Sequence, residues 1–238
     1  MLSFFKNKLY TSILFFAVLG LDIYIKLGDN PLPTRFFTKS ILIIILYLFF
    51  FCSKREHNPN NKYFILGLVS FWIGDMFLLL YETTILYIVG MVFFIIGKLF
   101  YTKRFSHQND FKIASLIPFF IIIFTYMVII ILYVYDNLGD FFLPTLVYLF
   151  AVMLMALFAF LRKDSVNKTS FYLVVASILF SIMTDTIGLL QFFYNPDIAY
   201  HKVTIMLFYA LFQYFIVLGL VNEKTFDKDT IEDTYIRL

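Results

Sequence analysis

Two carboxylic acids stand inside stretches of sequence that are otherwise apolar. Asp75 interrupts YFILGLVSFWIG-D-MFLLL, and Asp185 interrupts VVASILFSIMT-D-TIGLL. Placing such a group at the centre of a membrane helix costs roughly 2.5–3.5 kcal/mol on insertion scales. Folding alone does not require that cost twice, so both aspartates are candidates for a functional site. Two carboxyl groups in unequal surroundings can divide acid/base work, one holding a proton while the other stays ionised. Lys39, near the start of another apolar run, is a cation that could favour the ionised partner.

The elements that carry these residues follow from composition. The chain has 238 residues, 61% hydrophobic, 21% aromatic and 15% charged, with a mean hydropathy of +0.85. Soluble domains are nearer half apolar and a quarter charged. Runs long enough to cross a bilayer, about 20 residues, fall at roughly 9–27, 36–52, 63–80, 84–101, 112–134, 141–161, 169–193 and 202–221. They are continuous rather than alternating, which speaks against a barrel. The expectation is an all-α fold: one polytopic transmembrane bundle of eight spans forming a single domain over 1–238. The apolar N-terminal run lacks a small-x-small cleavage signal and is read as a retained first span.

Cation placement orients the bundle. The N-terminus, the second, fourth and sixth loops and the tail carry fourteen Lys and Arg, including Lys54, Arg55, Lys103, Arg104, Arg162 and Lys163. The other side carries four: Lys26, Arg35, Lys39 and Lys202. By the positive-inside rule both termini are expected in the cytoplasm, in a bacterial-type inner membrane. The turn around Glu82 makes spans three and four an antiparallel hairpin. In it Gly67 and Gly74, and Gly90 and Gly97, are spaced to let backbones approach. Span three then runs outward and puts Asp75 about 7 Å below its outer end at 1.5 Å per residue. Asp185 lies at similar depth, and Asp22, Lys39, Glu82, Gln191, Tyr209 and Gln213 fall in the same half of the bilayer. Asp22, Glu82 and Gln191 read as rim residues near water. Lys98 sits near the cytoplasmic end of its span and reads as a snorkelling lysine, outside this group.

Other chemistries find no residues. His57, His107 and His201 lie in separate loops, so no metal site of the usual kind is expected. The single cysteine, Cys52, excludes an intrachain disulfide, and there is no Gly-x-Ser-x-Gly elbow or phosphate-cradling glycine loop. The basic loops are topology signals rather than a nucleic-acid surface, and no cofactor is expected. Carboxylate chemistry in a lipid-accessible cavity remains. Two other classes stay open: a proton-coupled transporter or lipid carrier, in which the aspartates relay protons, and a non-catalytic scaffold, in which they fasten helices.

At these residues the chain resembles the lysoplasmalogenase-like (YhhN-type) integral membrane proteins. The resemblance rests on Thr38-Lys39-Ser40, Ile73-Gly74-Asp75 with the aliphatic run after it, and Gly90, Phe94, Lys98 and Tyr101. It continues in Thr184-Asp185 and in Tyr209 with Gln213. Two departures stand out: the family's Pro after the lysine is Ser40, and its His is Lys98. The resemblance implies hydrolysis of the vinyl-ether bond of lysoplasmalogens to a fatty aldehyde and a glycerophospho-alcohol, with a lysophospholipid as substrate. Asp75 and Asp185 are the expected catalytic pair. Lys39 is expected to support substrate through its phosphate, Gln213 to hold water or an aspartate, and Tyr209 to support the site.

Overall fold

The computed structural model describes residues 2–28, 32–53, 58–80, 84–106, 113–196, 198 and 200–224. Glu82, His57, His107 and the basic residues Lys54, Arg55, Lys112, Lys228 and Arg237 lie outside the described residues. Among those described there is no β-strand. The helices are α1 (Leu2–Lys6), α2 (Lys8–Leu27), α3 (Leu32–Ser53), α4 (Asn61–Leu78), α5 (Thr84–Phe105), α6 (Ile113–Leu138), α7 (Phe142–Leu161), α8 (Lys168–Phe193) and α9 (His201–Val221).

Eight of these are long, and their bounds shift the expected spans in physically simple ways. Asn7 separates the short α1 from α2 and caps α2, its side chain accepting from the Leu9 amide at 3.0 Å. A β-region cap with a side-chain acceptor is a standard helix start. α3 begins at Leu32, earlier than hydropathy alone suggests, because its first turn carries Pro33, Thr34 and Arg35. Proline is well accommodated in a first turn, where the amides have no helical partner. The break expected around DNLGD is tighter than it reads: α6 runs through Asp136 and Asn137, and one 3-10 turn, Gly139–Phe141, leads into α7. Gly139 takes φ +47, a left-handed conformation that favours glycine.

Six stretches are long and apolar enough to cross a membrane: α2, α3, α5, α8, α9 and the continuous Ile117–Asp164, which takes in most of α6 and all of α7. α4 is not among them. It is 18 residues long and includes Asn61, Lys62 and Asp75. The bundle turns large apolar side chains outward, among them Ile122, Ile129 and Leu132 of α6, as lipid contact requires.

The most extensive pairings are α8 with α9 and α4 with α5. The second depends on the glycines. A Cβ on Gly74 would stand 3.1 Å from the Gly90 carbonyl oxygen, and one on Gly67 would stand 3.2 Å from that of Gly97. The two backbones therefore pass with nothing between them, and their register sets the position of Asp75. Between the helices runs an aromatic seam of Phe64, Phe71, Phe94, Tyr101, Tyr209 and Phe212.

The end of the bundle away from Asp75 holds a second polar cluster. Arg104 and Arg162, counted from sequence among the loop cations that orient the bundle, are 2% and 0% exposed. Each donates to Glu223 Oε2 at 2.9 Å. Glu223, just beyond α9, is thereby held against the helices. Arg104 also donates to Asn61 at 3.2 Å and Arg162 to Ser170 at 3.0 Å, so α4, α5, α8 and the segments after α7 and α9 are tied at one point. Buried guanidinium groups need such partners, since an unpaired buried charge is prohibitive.

Candidate active site

Asp75 projects from α4 and is almost fully buried. Lys39 of α3 donates to its Oδ1 at 2.6 Å, and the Tyr209 hydroxyl of α9 donates to its Oδ2 at 2.7 Å. The Lys39 ammonium also stands 5.8 Å from the centre of the Tyr209 ring. Asp185, from α8, has a parallel set of partners. Lys98 of α5 donates to its Oδ2 at 2.9 Å, the Tyr148 hydroxyl of α7 donates to its Oδ1 at 2.5 Å, and Ser181 one turn away donates to Oδ2 at 3.3 Å. Each carboxylate thus has one ammonium and one phenol, each drawn from a different helix.

Lys98 is the main correction to the sequence reading. It does not snorkel to an interface: it is 1% exposed and bonded to both Asp185 and Ser181. A helical Cα–Cβ bond tilts toward the helix N-terminus, and the N-terminal part of α5, with Tyr87, Met91 and Phe94, lines the cavity that holds Asp185. A long lysine starting deeper in the helix therefore reaches back toward the site. Asp22 is the second correction. It is 1% exposed rather than solvated, and it accepts a hydrogen bond from Thr38 at 2.5 Å.

Asp75 and Asp185 line one cavity of about 430 Å³. Its walls are largely apolar, including Leu78, Met91, Phe94 and Met206, with Tyr87 stacked on Phe192 at 4.1 Å between ring centres. Gln191, expected at a boundary, also lines it. Toward the ends of α2, α3 and α9 the lining changes to Lys26, Arg35 and Lys202. The volume falls within the range of small-molecule sites. An apolar cavity with two carboxylates at depth and cations at one end can take an amphiphile with an anionic head and present a polar bond to acid/base groups.

A side chamber of about 30 Å³, lined by Asp22, Lys39, Asp75, Tyr209 and Gln213, lies against the same Lys39–Asp75 pair. It is large enough for a water molecule. Gln213 accepts from the Tyr101 hydroxyl at 2.7 Å, while its amide nitrogen is buried with no partner among the described residues. An unsatisfied buried donor is costly and suits a water placed there.

The structure thus brings Asp75, Asp185, Lys39 and Tyr209 to one cavity and sets Gln213 behind it. Lys98, Tyr148 and Ser181 were missed as partners. Tyr148 carries no local signal among seventeen tyrosines, whereas Ser181 stands one helical turn before Asp185 and could have been found by spacing. Among the described residues no three His, Cys, Asp or Glu side chains gather as a metal site. No curated protein and no solved structure matches the chain. The family model of the YhhN family does, over residues 34–220, a stretch that includes Lys39, Asp75, Lys98, Asp185, Tyr209 and Gln213, and the chain belongs to that family.

Proposed function

We propose that this protein is a membrane-embedded hydrolase of lysoplasmalogenase type, cleaving the vinyl-ether bond of a lysophospholipid. The observation that carries the reading is that Asp75 and Asp185, more than a hundred residues apart in sequence, line the same cavity. All eight long helices cross the inner membrane in this reading, with α4 kept at depth by its packing on α5, and both termini face the cytoplasm.

The chemistry needs one proton in, one water and one proton out. Protonation of the alkenyl carbon gives an oxocarbenium ion, water adds to it and passes a proton back to the pair that donated the first, and the neutral hemiacetal then collapses to aldehyde and alcohol, its hydroxyl proton ending on the departing glycerol oxygen. The two ammonium–carboxylate pairs differ in access: the Lys39 side chain is 15% exposed and the Lys98 side chain 1%. The Lys39–Asp75 pair can therefore be recharged from the cavity and is the proton donor, Lys39 returning a proton to Asp75 across 2.6 Å. Asp185, held by Lys98, Tyr148 and Ser181, faces the developing cation. Its role parallels that of the stabilising carboxylate in glycoside cleavage. The chamber lined by Gln213 and Asp75 has room for the water that would attack once the cation forms.

The test is aldehyde release from a lysoplasmalogen by purified protein in detergent. Asp75→Asn and Asp185→Asn are each expected to lower the rate by about 10²-fold or more, the usual worth of a positioned acid or base. Full activity in both variants would overturn the mechanism.

A further inference from the structure

Asp22 is a buried carboxylate that the chemistry above does not use. α2 packs on α3 and α9, and its buried residues are Thr11, Phe15, Leu19, Asp22 and Ile25, spaced three and four apart as a covered helix face requires. Asp22 is the charged member of that stripe and is 1% exposed. A leucine would satisfy packing at such a position, and a carboxylate taken out of water needs compensation. Thr38 of α3 supplies a hydrogen bond at 2.5 Å, and Lys26, one turn along α2, lies within electrostatic reach.

The same carboxylate lines the side chamber of about 30 Å³, together with Lys39, Asp75, Tyr209 and Gln213. Consecutive residues of α3 hold the two acids of that chamber: Thr38 donates to Asp22 and Lys39 to Asp75. Side chains one residue apart on a helix diverge by about 100°, so α3, packed between α2 and α4, can bond to both. Gln213 is 1% exposed. Its carbonyl oxygen accepts from Tyr101 at 2.7 Å, and its amide nitrogen has no hydrogen-bond partner among the described residues. The chamber thus offers two carboxylates that accept and one amide that donates, around a space the size of a water molecule.

We infer that Asp22 is a positioning residue for the nucleophile: with Gln213 and Asp75 it holds a water in the chamber and fixes the direction from which that water adds to the cation. Resting on the hydrolase reading for the step itself, this adds the group that aims it. A water has two O–H bonds and two lone pairs. One O–H is donated to Asp75 and the other to Asp22, while the Gln213 amide donates to one lone pair; three bonds are usual for a buried water. The remaining lone pair forms the new C–O bond. As it does so, the proton facing Asp75 passes to the pair that gave up the first, and the electrons of that O–H bond stay on oxygen. The proton facing Asp22 remains as the hemiacetal hydroxyl. Asp22 therefore neither gains nor loses a proton, and it selects which hydrogen the water keeps. An asparagine in its place can still accept from Thr38, but it presents an N–H where the water needs a second acceptor.

The test separates trapping of the cation from its formation. The purified full chain and its variants hydrolyse a lysoplasmalogen in heavy water, and both the aldehyde and the unreacted lipid are analysed by mass spectrometry. In the parent a held water traps the cation before it can revert, so the aldehyde carries deuterium on the protonated carbon and the recovered lipid carries none. In Asp22→Asn the water is misdirected, the cation reverts, and the recovered lipid gains deuterium at that carbon. Aldehyde release is expected to fall about 10- to 100-fold in this variant, with KM changed by less than about twofold. Thr38→Val, which frees Asp22, should show the same exchange, and Thr38→Ser should not. A lowered unfolding midpoint with no deuterium in the recovered lipid would make Asp22 merely structural and overturn the assignment, as would full activity in Asp22→Asn. A parent that releases no aldehyde removes the hydrolase reading separately. The chamber is then decided by a crystal structure of the parent: a water bonded to both Asp22 and Gln213 upholds the site, and its absence overturns it.

Discussion

Replacing Lys98 with Met keeps the length of the side chain and removes its ammonium, leaving Asp185 in place with one charged partner gone. Both side chains are buried, at 1% and 5% exposure. Losing one partner of a buried ion pair costs about 3–5 kcal/mol, because the other charge is stranded. For a chain of this size each kcal/mol moves the midpoint of thermal unfolding by roughly 2–4 °C, so K98M is expected to unfold roughly 6–20 °C below the parent in the same detergent. The double variant K98M/D185N carries no stranded charge, and Tyr148 and Ser181 can still bond to the new amide. It is expected to be more stable than the sum of the single losses by about 2 kcal/mol or more, as contacting pairs show in mutant cycles. Lys98→His, which restores the residue expected from the family resemblance, keeps a group able to carry positive charge and should fall between parent and K98M. Lys62→Met, at an exposed position of α4, serves as a control within about 0.5 kcal/mol. A K98M midpoint within a degree or two of the parent, with losses additive in the double variant, would refute the account of Asp185 as a carboxylate sustained by Lys98.

Two further outcomes follow from the geometry. Gly74→Leu puts a Cβ 2.5 Å from the Phe94 ring and 3.1 Å from the Gly90 carbonyl; the overpacking should cost about 1–3 kcal/mol and lower aldehyde release by displacing Asp75, while Gly20→Ala, with nothing within 4 Å and away from the cavity lining, should do neither. Tyr209→Phe deletes the hydroxyl bonded to Asp75 Oδ2 at 2.7 Å and should cost about 1.5–3 kcal/mol, the range for bonds to charged groups; Tyr200→Phe, at a position 82% exposed, should leave the unfolding midpoint and hydrolysis unchanged.

The helical class and the two aspartates could be read from the sequence because both signals are local. A carboxyl group inside an apolar run is conspicuous whatever surrounds it, and a long apolar run states its own secondary structure. Lys39 and Tyr209 could be grouped with Asp75 because depth along antiparallel helices can be counted in residues. What could not be read was direction. Depth counted at Cα placed Lys98 outside the site, yet its side chain is long enough, and tilted the right way, to reach Asp185. The same blindness affected Arg104, Arg162 and Glu223, which look like ordinary charges at helix ends until the ends converge. Asp22 failed for a related reason: nearness to a helix terminus says nothing about whether a neighbour, here Thr38 of α3, covers it.

The two carboxylates are furnished alike, each with a lysine and a tyrosine from other helices, so their partners alone do not distinguish them. Access does. Lys39 borders both the main cavity and the small chamber that Asp22 and Gln213 share, whereas Lys98 lies behind Asp185 and outside the lining of either. A proton or a water can reach the first pair from two sides and reaches the second only across Asp185 itself. On the proposed reading, one arrangement of side chains used twice in different surroundings supplies one pair open to the cavity and one closed off from it. That division is what cleavage through a short-lived cation requires, and it follows from which lysine the fold leaves uncovered.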